Sequence, residues 1–175
     1  VSPANSNSSV LGNLTISAGI FDLGSFSCNR TAAGGSLNIA SGATLKLAAS
    51  TGGKTGSNYP NNFNTNNLDA NSTVEYNGME VQTIYATTYG NLILSNSEIK
   101  TPGGNILIAG NLSLINSVEV DLGSYTCNRT AVGGTLSMAS GSILKLGGSS
   151  GGQAGSNFPV NFANLALDPG SMIEY

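Results

Sequence analysis

Asp22-Leu23-Gly24-Ser25-Phe26-Ser27-Cys28-Asn29-Arg30-Thr31 returns as Asp121-Leu122-Gly123-Ser124-Tyr125-Thr126-Cys127-Asn128-Arg129-Thr130, at a shift of 99. The pairing runs without a gap from Asp22–Tyr76 onto Asp121–Tyr175, and 32 of the 55 paired positions are identical. Most differences exchange like for like, such as Phe26 for Tyr125, Ile39 for Met138 and Val74 for Ile173. Self-similarity at a fixed period marks a repeat architecture, in which each unit buries its apolar face against the next. The chain reads as a tandem array: a linker or frayed lead-in over 1–9, a first 99-residue repeat over 10–109, and an incomplete second repeat over 110–175 that continues beyond Tyr175.

Composition narrows the class. Charged residues are 9% of the chain, against roughly 25% in an ordinary soluble domain. Gly, Ser, Asn and Thr fill the gap, yet 39% of residues are apolar and recur in short alternating runs, which argues against disorder. Six basic residues and a net charge of -3 cannot supply the basic face that nucleic acid requires. The longest apolar run, Ile106–Ala109, is far short of a membrane-spanning helix.

Short strands follow one another from Val10: 13–16, 20–23, 36–39, 44–47, 67–69 and 73–76, then 82–85, 91–94, 98–100 and 105–108. Apolar and polar residues alternate at period two, the pattern of a strand with one face inward. Ser-Gly, Gly-Gly and Asn-Gly steps between them supply turns, and nothing recurs at helical spacing. Leu14, Leu37, Leu68, Leu92 and Leu112 are 23, 31, 24 and 20 residues apart, close to 25 on average. That spacing suits one coil of a right-handed parallel β-helix (a β-solenoid), with four coils per 99-residue period and an advance of roughly 19 Å. The long interval is assigned to a loop, 48–67, bulging from the coil. The alternative fold is a pair of β-sandwich domains.

Five runs carry a family resemblance: Phe21–Phe26, Asn29–Leu37, Ser41–Leu47, Tyr59–Phe63 and Ser72–Tyr76, supported by Gln82–Tyr85 and Thr88–Leu92. They resemble the tandem strand-repeat segments of large secreted bacterial surface proteins, adhesin-like and akin to filamentous-haemagglutinin β-helices. The resemblance covers nearly the whole chain from residue 12. It implies an extracellular or cell-surface location and a stalk or fibre role. Cys28 and Cys127 depart from the pattern, where an apolar or small residue is commoner.

Chemistry is sparse. There is no His, which removes the commonest general base and metal ligand, and no cofactor is expected. Cys28 and Cys127 occupy one repeat position; four coils apart they are too distant for a disulfide, and each reads as a small buried side chain. Ten of the fifteen charges are duplicated. Asp22 and Arg30, with their counterparts Asp121 and Arg129, are expected to pair across a turn at Cys28-Asn29. Asp69 and Glu75 form a carboxylate pair that a glycosidase could use, but the absence of a covering insertion favours a structural role. Tyr59, Phe63, Phe158 and Phe162 sit in two matched loops, 48–67 and 147–166, where rings either stack on a glycan or pack the loop onto the coil. Asn-x-Ser/Thr occurs at Asn7, Asn13, Asn29, Asn71, Asn111 and Asn128, and stacked Asn ladders offer a structural use. No flat Thr-x-Thr face suggests ice binding.

The leading expectation is a non-enzymatic structural module, partnered by neighbouring repeats or by end-to-end self-association. A glycan-binding module is the alternative, and a polysaccharide lyase or hydrolase a remote one.

Overall fold

A computed structural model describes residues 4–153 and 155–175. The described residues form twenty short strands and no helix. Six precede the first long loop: β1 (Ser8–Val10), β2 (Leu14–Ile16), β3 (Ile20–Asp22), β4 (Cys28–Arg30), β5 (Gly34–Ile39) and β6 (Thr44–Leu47). After it come β7 (Phe63–Leu68), β8 (Thr73–Tyr76), β9 (Gln82–Ile84), β10 (Thr88–Tyr89), β11 (Asn91–Leu94) and β12 (Ile99–Pro102). Then follow β13 (Ile106–Ile108), β14 (Leu112–Leu114), β15 (Glu119–Asp121), β16 (Cys127–Arg129), β17 (Gly133–Met138) and β18 (Ile143–Lys145). A second long loop separates these from β19 (Phe162–Leu167) and β20 (Met172–Glu174).

Neighbours in sequence do not pair. β1 pairs with β4, β2 with β5 and β3 with β6, and the same step of three joins β8 to β11, β11 to β14 and β14 to β17. Across the long loops the step is two, as in β5–β7 and β17–β19. Every ladder is parallel, and the partners are 18 to 29 residues apart. Parallel strands need a long return path, and here two further strands supply it. The longest sheet holds seven strands in the order β19-β17-β14-β11-β8-β6-β3.

Register puts like on like. Leu45, Val74, Leu92, Leu112 and Leu136 form one row, and Leu47, Tyr76, Leu94, Leu114 and Met138 another. All ten are essentially inaccessible to water, and they belong to one continuous core that also holds both Leu23 and Leu122. Burying each such side chain contributes about 1.5–3 kcal/mol.

Three expectations are corrected. First, the two copies are not stacked position on position: Leu136, in the row of Leu45, is the counterpart of Leu37, while the counterpart of Leu45 is Leu144 in the β9–β20 sheet. From β3 to its counterpart β15 there are twelve strand steps plus one loop that stands in for a strand, and thirteen is one more than four steps of three. The second copy is therefore displaced by one sheet. Second, Cys28-Asn29 is not a turn but the start of β4, with the Cys28 side chain inward. Third, Ser8 and Ser9 are not in a loose lead-in: they pair with Cys28 and Asn29.

Leu92→Ala, at the centre of the long sheet, is expected to cost about 2–5 kcal/mol through the cavity it leaves. Urea unfolding measures this, and the exposed Leu11→Ala, at a residue 81% accessible, should shift the midpoint little.

Candidate functional site

The two long loops, 48–62 and 147–161, are the largest departures from strand structure, and both fold inward. Asn61 N–H donates to Asn29 Oδ1 at 2.8 Å and its carbonyl accepts from Arg30 N–H at 3.0 Å; Val160 does the same on Asn128 and Arg129. Each loop end thus lies beside β4 or β16 in place of a strand. The buried Asn58 amide donates to the Gly24 and Phe26 carbonyls at 2.9 and 2.7 Å, and Asn157 repeats this on Gly123 and Tyr125. A Cβ on Gly53 would lie 2.2 Å from the Tyr59 carbonyl oxygen, and one on Gly152 2.1 Å from that of Phe158, so only glycine fits these crossings.

This packing decides where the aromatic candidates lie. Tyr59 is fully buried, Phe63 and Phe158 nearly so, and Phe162 is partly buried. The rings of Tyr59, Phe63 and Phe158 are core side chains, which removes them as a platform for sugar. The expected bulge is likewise absent, because residues 57–60 and 156–159 face the core.

The expected Asp22–Arg30 pair does not form. Asp22 accepts from Gly24 N–H at 2.9 Å, and Asp121 from Gly123 N–H at 2.8 Å, each closing a local turn. Arg30 donates instead to the carbonyls of Gly12, Leu11 and Ala32 at 3.1, 2.7 and 2.5 Å. Arg129 repeats this on Gly110, Ala109 and Ala131. The planar guanidinium, with five donors, satisfies carbonyls at a corner that no strand covers. The carboxylates pair along the ladder: Lys46 with Glu75 at 2.8 Å, and Lys145 with Glu119 at 2.7 Å and Glu174 at 3.7 Å. Asp69 caps the Asn71 N–H at 2.8 Å.

Cys28 and Cys127 are both free and buried. Burial pushes the Cys127 thiol up to about 12 and raises Cys28 as well, which suppresses thiolate chemistry. Asn38 and Asn67 form an amide ladder, Asn67 donating to Asn38 at 2.8 Å and Asn38 to Thr15 at 3.2 Å.

Four tyrosines cluster where the first long loop meets the segment from β8 to β10: Tyr59, Tyr76, Tyr85 and Tyr89. The Tyr76 and Tyr89 hydroxyls are 3.0 Å apart, Tyr76 OH accepts from Tyr85 N–H at 3.0 Å, and Tyr89 OH donates to the Tyr85 carbonyl at 2.6 Å. Burial raises the ionisation of Tyr59, Tyr76 and Tyr89 well above the usual phenol range. Tyr85 stacks against Tyr59 with ring centres 4.9 Å apart, and the Lys54 ammonium stands 4.8 Å from the Tyr85 ring centre. Lys54, Thr55, Thr83, Tyr85, Ala86 and Gly103 line a cleft of about 300 Å³. Two other grooves, about 350 and 540 Å³, occupy counterpart positions around Asn38 and Ser137 and hold neither a cation nor an aromatic ring.

Lys100 was not singled out from the sequence, yet it is fully buried, its ammonium donating to the carbonyls of Gly78 at 2.8 Å and Glu80 at 3.3 Å. Burial pulls it down to about 8, opposed by nearby Glu98. Lys100 falls outside the paired positions 22–76 and 121–175, so duplication gave no signal there.

Asn58→Ala and Asn157→Ala each remove two side-chain hydrogen bonds that tie the loop to neighbouring carbonyls, and should cost about 1–3 kcal/mol, read by urea unfolding. The pH response follows from the signs. Lys100 binds its proton less tightly when folded, so its own contribution grows from about pH 8 toward the ordinary lysine range, opposed by the Cys28 and Cys127 thiols, which keep protons that the unfolded chain loses. Above about pH 10 the unfolded chain loses phenol protons that the folded chain keeps, and stability falls. Lys100→Met removes that contribution, so the variant's stability should fall more steeply than the parent's between about pH 8 and 10, in urea midpoints measured against pH. No family model, curated protein or solved structure matches the chain.

Proposed function

We propose that the chain is a non-enzymatic structural module, a stiff segment of a stalk or fibre, wound as a three-sided parallel β-solenoid. The observation that carries this reading is the step of three in strand pairing, interrupted only where a loop stands in for a strand. A chain laying three strands per turn produces that step, and each turn then hydrogen-bonds to the one before and the one after. Right-handed winding is the expectation from the general handedness of parallel crossovers. Stiffness follows because the ladders and a continuous core run along one axis: six spacings in the seven-stranded sheet extend about 29 Å.

A structural role also fits the use of polar groups. Arg30, Arg129, Asn58 and Asn157 are spent on backbone carbonyls of neighbouring segments, and Lys46 and Lys145 on carboxylates along the ladder. An extracellular or surface setting, in a bacterial adhesin-like protein, rests on the resemblance of the repeats.

The edge formed by β19 and β20 exposes Leu165, Leu167 and Met172, at 50%, 37% and 51% accessibility. In the first copy, Val74 on the corresponding strand is completely covered by β11. Exposed strand edges of this kind invite pairing, so this edge is expected to take a further repeat of the same kind, supplied by a second copy when the 175-residue chain is studied alone. Sedimentation and negative-stain imaging across a concentration series should show particles that lengthen without thickening. Leu165→Lys with Met172→Lys should abolish the lengthening. Association that thickens particles, or that survives both substitutions, contradicts the reading.

A further inference from the structure

Five of the six basic side chains are committed to protein oxygens: Arg30 and Arg129 to carbonyls, Lys46 and Lys145 to carboxylates, and Lys100 to the Gly78 and Glu80 carbonyls. Lys54 is the exception among the described residues. Its ammonium has no oxygen partner and stands over the Tyr85 ring, at the wall of the 300 Å³ cleft. The second copy carries Gln153 at this position, on a loop held by the same Asn157 bonds, so the loop scaffold does not require the cation.

The cleft is also held open. Tyr85 is backed by Tyr59, its N–H donates to Tyr76 and its carbonyl accepts from Tyr89, which fixes the ring before anything binds. Gly103 has no side chain to fill the floor, where a Cβ would sit 3.1 Å from Thr83 Cγ2. Thr55 and Thr83 line the walls. An ammonium that has no oxygen partner, held in place on an aromatic ring, with two hydroxyl side chains around a volume at the low end of ligand pockets (~300–1,000 Å³), matches a single sugar unit carrying a negative charge.

We infer that this cleft binds a carboxylate-bearing pyranose, a uronic acid unit of an acidic polysaccharide. Lys54, seated over the face of Tyr85 that Tyr59 leaves open, takes the carboxylate, and Thr55 and Thr83 face the sugar's hydroxyls. The site lies at a different place from the buried rings of Tyr59, Phe63 and Phe158. It is independent of end-to-end stacking, since neither β19 nor β20 lines it.

The test is an NMR titration of the whole chain with trigalacturonic acid, with maltotriose and sodium acetate as separate probes. The expected result is saturable shifts confined to residues near 54–55, 83–86 and 103, with Kd on the order of millimolar. Lys54→Gln, which installs the residue of the second copy, should weaken binding by about tenfold or more while leaving the thermal midpoint unchanged. Four outcomes would overturn the inference: no saturable shift with trigalacturonic acid, equal binding of maltotriose, the same shifts with acetate at equal carboxylate concentration, or unchanged affinity in Lys54→Gln.

Discussion

Parallel pairing between strands that are never neighbours in sequence is the constraint on which the structure depends. A parallel strand cannot be closed by a tight hairpin, so β8 pairs back to β6 on one side and finds its other partner only when the chain has travelled on to β11, as β11 does at β14. Each segment is held by the one before and the one after it. That condition selects the inward rows of leucine, because a side chain facing the core meets its equivalent about one strand spacing away and must pack against it.

The same constraint places the polar groups. Outward rows set opposite charges beside each other, Asp22-Lys46-Glu75 in one copy and Asp121-Lys145-Glu174 in the other. Exposed pairs of this kind add at most about 1 kcal/mol, so their larger effect is to avoid stacking like on like. Corners and loops cannot complete a ladder, and buried amides and guanidinium groups supply the missing partners there. Gln82 donates to the Leu47 and Ala49 carbonyls at 3.0 and 3.1 Å, and Lys100 serves the turn beside it. Among the described residues, Asn77 Oδ1 is the one buried side-chain atom left without a partner.

Much of this was legible in the sequence. Period-two alternation located β2, β3, β5, β6, β8, β9 and β11 closely, because each sets apolar residues inward and polar residues outward. β1, β4 and β16 were missed, since Ser8-Ser9 and Cys-Asn-Arg hold too few apolar residues to show a period. Leucine spacing found the partners Leu14 with Leu37 and Leu92 with Leu112, but placed Leu68 opposite Leu37, where Asn66 stands. The one-sheet displacement of the second copy was invisible, because identity along the chain is silent about how many strands make a turn. The candidate cleft escaped for a related reason: duplication drew attention to Tyr59 and Phe158, whereas the cleft is lined by Lys54, where the second copy has Gln153, and by Tyr85, which lies outside the paired positions.

The most direct measurement is the set of inter-strand proton contacts in an NMR spectrum of the intact chain. Parallel, in-register pairing places Ile93 beside both Glu75 and Ser113, at sequence separations of 18 and 20, with no ladder between β5 and β6. Contacts at those separations are the predicted result. Antiparallel contacts between consecutive strands, as in a pair of sandwiches, would contradict it.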